Sequence, residues 1–403
     1  MSRRILLISL FAAIAASAII ATTIGVGDVP VWRAIGPREG TFEGRPAIVV
    51  ANDKLEFAVT KFGAWLASVV LSNDSEKLSP LWNPMRFGRE LGRPPLGNGV
   101  YGGHFICVDG FGNSSPEETA AGFPHHGEAH QTEMDAKSAK ESHVASVTLS
   151  AILPIVQERL TRTFRLVDGE NIIYVDSQIE NLLGFDHPVA WAEHAIIGSP
   201  FLEPGETVAD LSSSRSHTRD VARTANPQAE MVQRLAPNKD FTWPMAPGLD
   251  GTTIDLRQTP DNPHFVDYTT TLMDPSRELG WATAINLKRN LIIGWVFRRA
   301  EFPWLMNYDG YPSTGKLSRG FEFGTQPFDG PRREAVNLGR MFDTPTFRWL
   351  PAKSKIDSRF LMFYARTPQG FDEVDEIRLE NGTLVVEDRA AGKRITLSAS
   401  IGL

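Results

Sequence analysis

A two-residue alternation of apolar and polar side chains, broken by turn dipeptides, limits this chain more than any other feature. Leu160-Thr-Arg-Thr-Phe-Arg-Leu166 runs into Asp168-Gly169, after which Ile173, Val175, Ser177 and Ile179 keep the same period. Period-two patterning on both sides of an Asp-Gly dipeptide predicts a β-hairpin. Leu55, Phe57 and Val59 alternate likewise, and an apolar run from Trp65 to Leu71 follows. Leu279 to Leu287 with a return run from Leu291 to Phe297 predicts another pair. Near the end, Ile377-Arg-Leu-Glu380, Asn381-Gly382 and Thr-Leu-Val-Val386 predict a last hairpin. No stretch of the body sustains a 3.6-residue apolar stripe, and 34 glycines and 27 prolines leave little room for long helices. The expected fold class is therefore all-β, a large antiparallel sandwich, with long polar loops at 113–141 and 212–260.

The first 27 residues read differently. Arg3 and Arg4 precede an uncharged run from Ile5 to Val26, and Ala16-Ser17-Ala18 offers a small-residue cleavage site. This is a secretory signal, or an anchor, since the run would span about 33 Å as a helix. Either way the body is exported, periplasmic or extracellular, with Arg3 and Arg4 on the inner side. The expected organisation is 1–27 as signal peptide or membrane anchor, 28–368 as the sandwich, and 369–403 as a C-terminal β-hairpin extension. A net charge of −7 gives no basic footprint for nucleic acid. Cys107, the single cysteine, excludes an internal disulfide framework.

Three polar constellations stand on this scaffold. Gly102-Gly-His-Phe-Ile-Cys-Val-Asp-Gly-Phe-Gly112 is followed by Phe123-Pro-His-His-Gly-Glu-Ala-His130, which together hold four of the nine histidines. His187-Pro-Val-Ala-Trp-Ala-Glu-His194 delivers a carboxylate and an imidazole side by side. Arg319-Gly-Phe-Glu-Phe-Gly324 sets Glu322 between two phenylalanines, where a carboxyl becomes a usable proton donor or acceptor near neutrality. His125, His126 and His130 with Glu128 and Glu133 offer ligands for zinc. However, the glutamate of His126-Gly-Glu-Ala-His130 is misplaced for the metalloprotease helix, and Pro124 and Gly127 oppose a helix there. No metal and no cofactor are expected. Solvated loop histidines and a structural Glu322 are the bland alternatives, and Cys107 reads as a small core residue.

Taken in order, these pieces resemble the aldose 1-epimerase (galactose mutarotase) superfamily, closest in layout to its hexose-phosphate mutarotase branch. Gly102 to Gly112 occupies the place of a Gly-Gly-rich stretch, and His126-Gly-Glu-Ala-His130 that of an HG-x-A-R loop. Asn181 to Pro188, then Trp191-Ala-Glu-His194, matches the strand of the second histidine. Gly320-Phe-Glu322-Phe matches the strand of the catalytic glutamate, and Trp349-Leu-Pro-Ala-Lys353 and Phe360-Leu-Met-Phe-Tyr364 match the closing turn and last strand. The resemblance spans roughly residues 50 to 366. It departs at His130 for arginine, at Ala195-Ile196 for an aromatic pair, and at Phe323 for proline.

The resemblance implies a mutarotase-like supersandwich that opens and recloses an aldose ring. It makes Glu322 the base at the anomeric hydroxyl and His194 the acid at the ring oxygen, with His126 holding the substrate. His125, Asp109, Trp191 and Trp304 are further candidates for sugar contact, and each tryptophan has core packing as an equal alternative. Arg298 and Arg299 are candidates for a phosphate, although an exported enzyme favours a neutral sugar or oligosaccharide. The alternatives are a non-catalytic carbohydrate-binding module on the same fold and a polysaccharide lyase, for which Tyr101 and Asn307 are loose candidates.

Overall fold

The structure, a computed structural model, describes residues 35–97, 100–220, 231–261 and 264–403. The expected N-terminal signal or anchor lies outside them. The described residues build two large antiparallel sheets. The first orders its strands Gly36–Phe42, Arg45–Ala51, Leu55–Thr60, Leu66–Leu71, His104–Val108, Trp191–Gly198, Ser318–Gly324, Trp304–Tyr311, Phe265–Met273, Ser213–Thr218 and Asp240–Phe241. The second orders Thr207–Leu211, Leu279–Asn286, Leu291–Arg298, Lys355–Arg366, Ile172–Asn181, Glu158–Val167, Val144–Leu153 and Asp135–Glu141. The all-β sandwich is thus present, and its predicted hairpins stand where the turn residues put them. Val167 and Ile172 flank the turn at Gly169, whose φ of 81° is open to glycine at no steric cost.

Between the sheets lies one apolar core to which Phe57, Val59, Ile106, Val108, Trp191, Phe321 and Phe323 contribute from one side and Phe164, Trp295, Phe297 and Phe360 from the other. Alternation along each strand then decides which residues of the first sheet face away from this core.

Two expectations need correction. The segments 113–141 and 212–260 are not loops throughout. Asp135–Glu141 is an edge strand paired with Val144–Leu153. Its sequence, DAKSAKE, hid it because nearly every side chain is exposed, and beyond the backbone ladder only Ala136 packs on the core and Lys140 pairs with Asp168. Ser213–Thr218 pairs with Phe265–Met273 and packs by hydroxyls, Ser216 Oγ lying 2.9 Å from Thr271 Oγ1. Its polarity reflects that packing at Ser216 and Thr218 as well as the exposure of Arg215.

The C-terminal segment is a three-stranded sheet, Glu376–Glu380, Thr383–Asp388 and Lys393–Ser398. The predicted hairpin at Asn381-Gly382 forms its first two strands. This sheet is a third layer. Ile377, Leu384, Val386 and Ile395 meet Trp281, Ile285, Val296, Leu361 and Phe363 on the outer face of the second sheet. The outer face of a sandwich is ordinarily wet, and here a second core covers part of it.

Candidate active site

Strand register assembles the site. His194 lies opposite Phe105 on one side and Glu322 on the other. Glu322 lies opposite Met306, and Met306 opposite Thr270. Cross-strand partners share a face, so this row projects from the side of the first sheet that faces away from the core. Gly320 precedes Glu322 by two residues on the same face. A Cβ there would come within 2.3 Å of Glu322 Oε1, so only glycine leaves the carboxyl its place.

The histidine loop closes over the row. Its chain leaves the sheet at Val108, and His126 adopts a left-handed φ of 62°. His126 N donates to Gly112 O at 3.0 Å, and Gly112 N donates back to His126 Nδ1 at 3.0 Å. That leaves the ring proton on Nε2, so His126 is fixed as a donor. The His126 ring stands edge-on to His194 at 4.8 Å between centroids, while Phe105 stacks on His194 at 4.4 Å. Tyr101 lies within 5.0 Å of His126 and 6.3 Å of His194.

Burial sets the electrostatics. His194 is 4% exposed and Glu322 2%, with His194 Nε2 3.4 Å from Glu322 Oε1. Among the described residues, Glu322 Oε2 has no hydrogen-bond partner. Desolvation drives Glu322 well above its ordinary value, opposed by the nearby Arg219 cation. Desolvation also drives His126 and His194 well below theirs, aided by the neighbouring histidines. Two groups that both resist charge at this separation hold one proton between them. The Cys107 thiol, 3.5 Å from His126 Nδ1, is pushed up by burial and is no nucleophile.

Arg219 is a member of the candidate site that sequence reading missed. It ion-pairs with Asp329, donates to Met306 Sδ at 3.2 Å, and stands over the rings of Phe328 and Tyr268. No motif marks it, because its place depends on strand pairing far along the chain. Burial lowers its pKa to about 10, so it remains a cation. Around the pair, Tyr308 is pushed up to about 12 by burial, and Tyr101 and Tyr268 also rise. These phenols are donors rather than bases.

The other predicted residues disperse. His125 stands beside His126, 3.9 Å between centroids, at the exposed rim. Asp109 turns away from the row with a φ of 55°. It accepts from Ala190 N at 3.0 Å, pairs with Arg332, and lies 3.6 Å from His187 Nδ1. Trp191 points into the core, where its Nε1 donates to Glu193 Oε1 at 3.1 Å. Trp304 is fully buried and donates to Pro345 O at 2.8 Å, so no sugar can stack on it here. Arg298 belongs to the second sheet and pairs with Glu301 at 3.4 Å.

Glu193 also faces the core. Arg162 Nη1 lies 2.9 Å from its Oε1, and His104 Nε2 lies 3.1 Å from its Oε2. Burial pushes this carboxyl up, yet Arg162 and His104 hold it below its ordinary value. Of the acids considered as zinc ligands, Glu128 instead accepts from Ile155 N and Val156 N. Asp109, Glu158 and His187 present ligand atoms within 4.8 Å of one another. There, each nitrogen of His187 already faces a carboxylate and Arg332 supplies a further cation.

Neither a family model nor a curated protein matches the sequence. Solved structures do match in fold. A galactose mutarotase-like protein from Clostridium acetobutylicum superposes with a TM-score of 0.57 at 12% identity, over 83% of this chain and 99% of that one. A candidate aldose 1-epimerase from Klebsiella pneumoniae gives 0.56 at 13% identity, over 80% of each chain. A galactose mutarotase related enzyme from Lactobacillus acidophilus gives 0.53 at 12%, over 83% of this chain and 100% of that one. At such low identity the likeness speaks for architecture, and by that measure the chain has the supersandwich fold of the aldose 1-epimerase (galactose mutarotase)-like superfamily.

Proposed function

We propose that this protein is an exported aldose 1-epimerase-like isomerase, with Glu322 and His194 as its acid–base pair. One observation carries the reading. A buried carboxyl, one of whose oxygens lacks a partner among the described residues, and a buried imidazole stand 3.4 Å apart on one sheet face, under a second histidine fixed as a donor. Export rests on the sequence of residues 1–27 alone.

Anomer exchange needs a base at the C1 hydroxyl and an acid at the ring oxygen. A single proton shared by the pair supplies both. When it resides on His194, Glu322 is a carboxylate and His194 an imidazolium. Glu322 then takes the proton from O1, and the electron pair released forms the C1 carbonyl. The C1–O5 bond breaks, and O5 receives the proton of His194. Rotation about C1–C2 and the reverse transfer close the ring on the other face. His126 Nε2–H can hold an oxygen of the open chain. A lyase would instead use a tyrosine as base, and the raised phenols of Tyr101 and Tyr308 work against that.

The test is anomer exchange by NMR on residues 28–403, with a panel of reducing sugars, beside Glu322→Gln. Faster exchange in wild type alone supports the isomerase. Sugar binding without acceleration would leave a binding module on this fold.

A further inference from the structure

We infer that the site takes a neutral reducing oligosaccharide, with a second sugar subsite in the cleft bounded by Arg219, Thr270, Phe328 and Leu338. This rests on the isomerase reading and names its substrate class. The cleft encloses about 520 Å³, a volume suited to a ligand larger than one hexose.

Its position follows from the register. The row His194, Glu322, Met306, Thr270, His217 runs straight across the first sheet, each residue opposite the next. Thr270 is two strands from Glu322, about 10 Å at the usual strand spacing. A hexose bound at Glu322 therefore ends where the cleft begins. Arg219 joins the two spaces, since it lines the cleft and acts on the Glu322 carboxyl. Asn113 joins them at the other wall, next in sequence to the Gly112 that holds His126.

Charge selects the ligand. Arg219 is committed to Asp329, and His217 Nδ1 lies 2.8 Å from Asp240 Oδ1. Glu334 adds negative charge to the lining. Such a wall repels a phosphate or a uronate and accepts hydroxyls. Phe328 and the half-exposed Leu338 supply the apolar surface that the carbon face of a pyranose needs.

The experiment compares glucose, glucose 6-phosphate and glucose-based di- and trisaccharides by NMR anomer exchange, in wild type and Leu338→Trp. Leu338 ends the short helix Arg332–Leu338 and is half-exposed, so the substitution narrows the cleft without touching the core. We expect kcat/KM for a trisaccharide to exceed that for glucose by about tenfold, glucose 6-phosphate to be the poorest substrate, and Leu338→Trp to collapse the ratio towards one. Glucose turned over as well as any longer sugar, or a ratio unmoved by Leu338→Trp, would overturn the subsite. If no sugar is turned over, the isomerase reading fails, and trisaccharide affinity decides the subsite separately. Binding to Glu322→Gln that is lost in Glu322→Gln/Leu338→Trp would sustain it, and equal binding by the two would sink it.

Discussion

Glu322 is flanked on its own strand face by Gly320 and Gly324, and this spacing gives a test of the role proposed for the carboxyl. Adding a methyl at Gly320 would strike Oε1 at 2.3 Å, at the flexible end of a side chain. Gly320→Ala should therefore fold normally and lose at least about tenfold in kcat through misplacement of the base. Glu322→Gln should lose about 10²–10⁴ in turnover with sugar affinity nearly kept, and near-normal rates would remove Glu322 from the reaction. The same substitution should stabilise the protein. Above the ordinary carboxyl range, the unfolded chain has released a proton that folded Glu322 still holds. The folded state then binds more protons, so stability declines as pH rises towards the folded pKa. Glutamine abolishes that slope. A melting temperature for Glu322→Gln that exceeds wild type at pH 8 by more than at pH 5 is the expected result.

Sequence made the residue types of the site legible but not all of its members. His126, His194 and Glu322 sit in motifs whose order survives reading, because each follows a strand with clear alternation. Arg219 was not legible, since its contacts come from Asp329, Met306, Phe328 and Tyr268, all distant in sequence. Trp191 and Glu193 share a strand with His194; the pleat read from the sequence already turns Glu193 to the other side, and the structure shows Trp191 there with it. That parity has an energetic consequence at the level of the strand. Glu193 neutralises the fully buried Arg162, which has no other carboxylate among its ion-pair contacts in the described residues. Glu193→Gln should cost about 3–5 kcal/mol, because it strands a guanidinium in the core. Urea unfolding of this variant against wild type measures it. Arg219→Met acts on the outward face instead. Removing a cation makes each proton of the Glu322–His194 pair harder to lose, so both limbs of the pH–rate profile should move to higher pH. An unmoved profile would show that Arg219 does not act on the pair.

At the scale of the molecule, three layers share the work. The first sheet presents the proposed acid–base row, the second seals its back, and the C-terminal sheet covers the second. The two large sheets were legible because half-buried antiparallel strands write their period into the sequence. The third layer was legible only as a hairpin. Lys393–Ser398 alternates in burial, yet Ile395 is its one buried apolar side chain and Leu397 is only partly covered, too short an apolar signal to announce a strand. The layer nevertheless secures a real core. Trp281, Ile285, Val296, Leu361 and Phe363 would be bared to water without it. A chain ending at Arg366 should therefore expose an apolar patch large enough to aggregate. In the full chain, Leu384→Ala should cost about 2–5 kcal/mol by leaving a cavity in the second core. That loss should leave the acid–base row intact, because Leu384 packs on the far side of the second sheet. Turnover per folded molecule at 25 °C should match wild type while the melting temperature falls. A large drop in kcat with folding retained would mean that the third layer reaches the active face, which the packing of these sheets does not provide.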